Sequence, residues 1–163
     1  MRPIVLLLCA FCTAGMSCCL SSHGPLPRPF SGLHWHMKRA EVEAQYPALH
    51  PIDRARGPGL EGFDYAGCRF EVIFEFQNGD LDAVTMDADE DSTVSCYATI
   101  KRNLGIAFGK PEEREVRGGE EEISWRNDDS FVRFRGGPDS MRIELSPDCK
   151  PSGCPESFYT NPP

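Results

Sequence analysis

Long hydrophobic runs are almost absent from this chain: Ile4 to Phe11 is one, and no later stretch approaches its length, which excludes a multi-pass membrane protein. Positive charge is also in deficit. Seventeen basic residues stand against 25 acidic ones, a net charge of -8, and a surface of that sign repels polyphosphate, so nucleic acid is not expected as a partner. Beyond the N-terminal segment, the cysteines Cys68, Cys96, Cys149 and Cys154 form no Cys-x-x-Cys pair of the kind a structural zinc site uses. The chain equally lacks a Gly-x-Ser-x-Gly elbow, a phosphate-cradling glycine loop and a His-Glu-x-x-His helix. Histidine is scarce: His23, His34, His36 and His50 are the only candidates for the base that a nucleophile needs within reach. What is present is ordinary for a folded protein. With 163 residues, 40% of them hydrophobic and 26% charged, the chain suffices for one domain with its own core but not for two large ones.

The N-terminus reads as an address. Arg2, the apolar run Ile4 to Phe11 and the small residues Thr13, Ala14, Gly15 and Ser17 follow the basic, apolar, small order of a secretory signal, at about half the length a membrane span needs. Gly15-Met16-Ser17-Cys18-Cys19 resembles the lipobox of bacterial lipoproteins, in which the cysteine becomes the lipidated first residue of the mature chain; Cys18 is the candidate. Leu20 to Pro29, with Pro25, Pro27 and Pro29, then forms a tether. The expected organisation is a signal over 1–17, a Pro/Ser-rich tether over 18–29, a single α+β domain over 30–148, and a disulfide-closed loop with a proline-rich tail over 149–163. The expected location is the periplasm or outer membrane, reached by export and held by a lipid anchor.

Of eight cysteines, Cys9, Cys12, Cys18 and Cys19 fall in or beside the signal, leaving Cys68, Cys96, Cys149 and Cys154. An even number in an exported chain points to disulfides, with three possible connectivities. Pro151 and Gly153 let the segment between Cys149 and Cys154 fold back on itself, which predicts Cys149 with Cys154 and Cys68 with Cys96. The longer bridge closes a loop of about 29 residues and contributes about 3 to 4 kcal/mol by restricting the unfolded chain.

Hydrophobic periodicity supplies the elements. Met37 to Tyr46 is a short helix ended by Pro47, residues 48–59 a loop, and Leu60 to Tyr65 a brief strand turning at Ala66-Gly67. Cys68 to Phe76 alternates Phe70, Val72, Phe74 and Phe76 with Arg69, Glu71, Ile73 and Glu75, a strand with one face on a core and one on water. Asn78-Gly79 is the dipeptide of a type I′ hairpin, and the phase slip in the returning strand, Leu81 then Val84 and Met86, predicts a bulge near Asp82. Val94, Tyr97, Ile100, Leu104 and Phe108 mark one face of a helix over 92–108, capped by Asp91 and stopped by Gly109-Lys110-Pro111. Four short strands follow, Glu112 to Val116, Glu121 to Arg126, Phe131 to Arg135 and Ser140 to Leu145, as an antiparallel meander. Its stripes, Ile123 with Trp125, Val132 with Phe134, and Met141, Ile143 and Leu145, should face the second helix. The fold class is α+β: two helices on antiparallel meander sheet, in the order α-β-β-β-α-β-β-β-β, suggesting a duplicated helix-on-sheet unit.

Gly32-Leu33-His34-Trp35-His36-Met37-Lys38-Arg39-Ala40-Glu41-Val42, followed by Tyr46-Pro47, resembles the opening of small exported proteins related to the barrel-assembly lipoproteins and the β-lactamase inhibitor proteins, with His36 where that opening often has glycine. The resemblance implies a non-catalytic module that binds other proteins.

Candidate contact residues are His34, Trp35, His36, Phe158 and Tyr159, although for Trp35 a plug packing the start of the first helix is the commoner role. His34 and His36 project to one side of an extended segment and could ligate a metal with His50 or an acid, but exposed histidines at a helix start are commoner, and no metal or cofactor is expected. Asp87-x-Asp89-x-Asp91 opens like a calcium loop, yet Ser92 and Ala98 stand where its glycine and bidentate glutamate belong, so a solvated acidic edge is the better reading. The expected function is that of an envelope lipoprotein binding a protein partner, as an inhibitor or immunity protein against a basic secreted enzyme. Two alternatives stay open: an accessory factor of envelope assembly, or a small hydrolase using His34, His36, Asp87 or Glu121.

Overall fold

The computed structural model describes residues 29–53, 57–89, 93–127, 129–137 and 140–148. Cys18, Asp91, Cys149, Cys154, Phe158 and Tyr159, with the signal, most of the tether and the tail, lie outside them, as does the side chain of Val94.

Two helices and eight strands follow the chain: α1 (Arg39–Gln45), β1 (His50–Asp53), β2 (Gly57–Tyr65), β3 (Cys68–Gln77), β4 (Asp80–Ala88), α2 (Thr93–Phe108), β5 (Glu113–Arg117), β6 (Glu120–Arg126), β7 (Ser130–Gly136) and β8 (Met141–Pro147). All eight strands form one antiparallel sheet in the order β1-β2-β3-β4-β8-β7-β6-β5. The fold class is therefore α+β, two helices on an antiparallel meander sheet. The strand the sequence conceals is β1, inside the stretch read as a loop: Pro51 argues against a strand, but an edge strand tolerates a residue that cannot donate to a ladder. With β1 counted, the described residues form one helix and four strands, twice over. The last strands of the two units, β4 and β8, meet at the centre, where Val84 faces Leu145 and Met86 faces Ile143.

Tight turns follow from residues able to take positive φ. Asn78 and Gly79 turn at φ 55° and 86°, and Gly118 and Gly119 at 61° and 91°, the signature of the type I′ hairpin. Ala66 takes φ 58° ahead of Gly67, a conformation its Cβ disfavours. In β4, Glu75 pairs with Ala83 and Phe76 with Leu81, so Asp82 is the extra residue of the expected bulge.

One face of the sheet is apolar and covered by the helices. Under the first unit, α1 is only seven residues long, so the irregular segment ahead of it completes the cover: Phe30, Leu33, Trp35 and Val42 are all buried. Phe30 stacks on Phe63 at 5.5 Å between ring centroids and meets Phe74 edge-on at 5.7 Å. His36, at φ 64°, turns the chain into α1 in a conformation that favours glycine. Under the second unit, Ile100 and Leu104 of α2 lie in the core with Ile123, Trp125, Val132, Phe134, Met141, Ile143 and Leu145, the stripes assigned to this face. Tyr97 packs at 5.5 Å from Phe134, and a Cβ at Gly136 would come within 2.8 Å of the Tyr97 ring, so glycine permits the close approach of α2. The Trp125 indole N–H donates to the Gly109 carbonyl at 3.1 Å, anchoring the end of α2. Cys68, at the start of β3, is disulfide-bonded to Cys96 in α2 across 28 residues of sequence.

Candidate functional site

The other face of the sheet has no helix on it among the described residues, and its side chains are set by the strand register. Because partners across an antiparallel ladder share a face, Glu71 lies beside Asp87, Asp87 beside Arg142, Arg142 beside Arg135, Arg135 beside Glu122 and Glu122 beside Glu115. One row of charge, acidic at both ends and basic in the middle, thus crosses six strands. The next row runs from Gly59 through Ile73, Thr85, Glu144 and Arg133 to Ser124.

These charges are organised in pairs. Arg142 donates from Nη2 to Asp87 Oδ2 at 2.9 Å and from Nε to Asp87 Oδ1, a two-pronged bond that together with the Asp87 charge holds the guanidinium above its usual range. Arg135 Nε donates to Glu122 at 2.8 Å, which offsets the directly opposed Arg142. Arg133 lies 3.4 Å from both Glu122 and Glu144, and Arg126 lies 3.0 Å from Asp148. Phe131 stands between the guanidinium groups of Arg126 and Arg133, at 5.5 and 5.4 Å from its centroid. Ile73 is the apolar counterpart on β3, buried where Gly59 opposes it, and Ile52 of β1 lies so close to Gly59 that a Cβ there would meet its Cδ1 at 2.3 Å. The face offers planar guanidinium groups already held in place and an aromatic ring: groups that dominate protein–protein contacts.

The residues singled out in the sequence sit elsewhere. Trp35 is 1% exposed and belongs to the core, its indole N–H donated to Ser130 Oγ at 2.9 Å, so its ring serves the packing of the sheet. His34 is exposed, whereas His36 is half-buried near Asp82, whose carboxyl is pushed up by burial and drawn back by the imidazole. His50 contacts the Ala48 carbonyl at 3.1 Å and lies 3.7 Å from Glu61. Among the described residues no group of three or more His, Cys, Asp or Glu side chains is placed to hold a metal ion. Asp87 and Glu121 are not brought together. Asp87 lies on the open face with Arg142, and Glu121 points to the helix side, where Tyr97 Oη, Lys101 Nζ and Arg114 Nε all donate to it. Burial pushes the Glu121 carboxyl up, but those three donors more than offset it and leave it below the ordinary carboxylate range. Burial and the bond to Glu121 push Tyr97 up to about 12. The acidic triplet Glu120-Glu121-Glu122 therefore splits by strand alternation into two outward carboxylates and one buried anchor.

No protein-family model and no curated protein matches the chain. Among solved structures it is similar to a DUF4309 family protein (YjgB) from Bacillus subtilis, with a TM-score of 0.50 at 11% identity, over 77% of this chain and 88% of that one. At that identity the likeness concerns the fold: a helix-covered antiparallel sheet of this kind is built by a second, dissimilar sequence.

Proposed function

We propose that this chain is a non-catalytic protein of the bacterial cell envelope, exported and lipid-anchored through Cys18, that binds a protein partner through the open face of its sheet. The observation that carries the reading is the ordered face itself, where Phe131 is flanked by Arg126 and Arg133 inside a lattice of paired charges. Such a lattice has its side chains fixed before contact, which lowers the entropy lost on association. The Cys68–Cys96 bridge supports the oxidising compartment that export requires. The net charge of -8 favours approach by a basic protein, such as a secreted enzyme, while the alternation of acid and base along the row would fix the register of contact.

The test is capture from an envelope extract by the purified chain, repeated with the face variant Phe131→Ala/Arg133→Ala and with Arg102→Ala on the exposed side of α2. Loss of the captured protein with the face variant alone is expected. Equal capture by all three, or a turnover abolished by changing one residue, overturns the reading. Cell fractionation tests the compartment: a full-length chain with an uncut N-terminus in the cytosol contradicts it.

A further inference from the structure

The sheet ends at two unlike edges. On β1, Pro51 cannot donate a hydrogen bond and the register breaks between Pro51 and Asp53, so that edge is closed to further pairing. At the other edge, β5 runs in unbroken register against β6, from Glu113 opposite Ser124 to Arg117 opposite Glu120, and no described strand pairs with its outer side. All five of its residues are exposed, and Val116, at 63%, is one of two large hydrophobic residues left in water among those described. We propose that β5 is a self-association edge, pairing antiparallel with β5 of a second copy about a two-fold axis through Val116.

The sequence of β5 selects that partner and that register. In an isologous antiparallel pair, the residue on the axis faces itself and its neighbours face each other crosswise. An axis at Glu113 or Glu115 opposes two carboxylates, and one at Arg114 or Arg117 opposes two guanidinium groups. Only an axis at Val116 avoids like-charge contact. It opposes Val116 to Val116 and places Glu115 against Arg117 of the second copy twice over, with Arg114 facing the turn glycine Gly118. Glu115 and Arg117 already attract each other within one strand, at 2.6 Å and on the exposed side, so the pairing exchanges an exposed contact for one across the ladder. Few residues take part, so the dimer is weak and concentration-dependent. It leaves the open face of both copies on the same side of one continuous sheet.

Sedimentation velocity of the purified full-length chain, from low micromolar to near-millimolar concentration, tests this. The expected result is a monomer–dimer equilibrium that weakens about tenfold or more with Glu115→Arg or Arg117→Glu alone, each of which sets like charges opposite one another, and recovers in the double exchange. Circular dichroism establishes that each variant keeps its fold. In Val116→Cys the two copies should cross-link through residue 116, identified by mass spectrometry. A monomer throughout the range, or a dimer indifferent to the single exchanges or not restored by the double one, overturns the proposal.

Discussion

The two units cover equal shares of the sheet by different means. In the first, α1 and the irregular segment from Phe30 to Met37 close the core almost wholly with apolar and aromatic contacts, among them Phe30, Phe63, Phe74 and Tyr46. In the second, α2 is long enough to span the strands, yet it is fastened at discrete points: the Cys68–Cys96 bridge, the Glu121 cluster and the Trp125 bond to Gly109. Short helices are poor at holding themselves together, so a seven-residue helix depends on the core beneath it, whereas a sixteen-residue helix can be placed by a few anchors. The comparison predicts that the first unit is sensitive to lost volume and the second to lost chemistry.

Trp35→Ala should have the largest effect, about 3 to 5 kcal/mol in urea unfolding, because it removes the largest fully buried side chain and strips Ser130 of its donor. A loss below about 1 kcal/mol would mean that the first unit is not organised around that ring. Next, Cys96→Ala should cost about 2 to 4 kcal/mol, and the variant should no longer respond to reductant, whereas the native chain falls to nearly the same stability when reduced. Glu121→Gln should cost less, about 1 to 2 kcal/mol at neutral pH, with a distinctive pH dependence. The folded carboxyl titrates below its unfolded value, so its contribution is complete above the ordinary glutamate range of about 4.3 and is lost as pH falls through the folded value. Native and Glu121→Gln chains should therefore converge in stability on acidification; a constant gap would show that the cluster acts through packing alone.

Much of this was legible in the residues because it depends on local pattern. Alternation in Cys68 to Phe76, the Asn78-Gly79 turn, the Asp82 bulge and the periodicity of α2 each have one structural solution. What escaped depends on contacts between distant segments. β1 looks like a loop because Pro51, Gly57, Pro58 and Gly59 are ordinary turn residues until β2 offers an edge to pair with. For Trp35 the packing role at the start of α1 is legible, but nothing near it in sequence reveals Ser130, 95 residues away, as its acceptor. The open face was visible only as the charged half of several alternating strands. Its order, Arg142 on Asp87 and Phe131 beside two arginines, needs the register of β4, β6, β7 and β8, which the spacing of single strands does not carry.

The central β4–β8 seam has a consequence for how the chain is made. Its register joins Val84 to Leu145, so during synthesis β4 waits, with one row of amides and carbonyls unmatched, until the very end of the domain emerges. The first half can assemble its own meander early, but it remains an adhesive half-sheet until the final strand zips home, which makes the interval between Ala88 and Leu145 the period when this molecule most needs shielding from its neighbours.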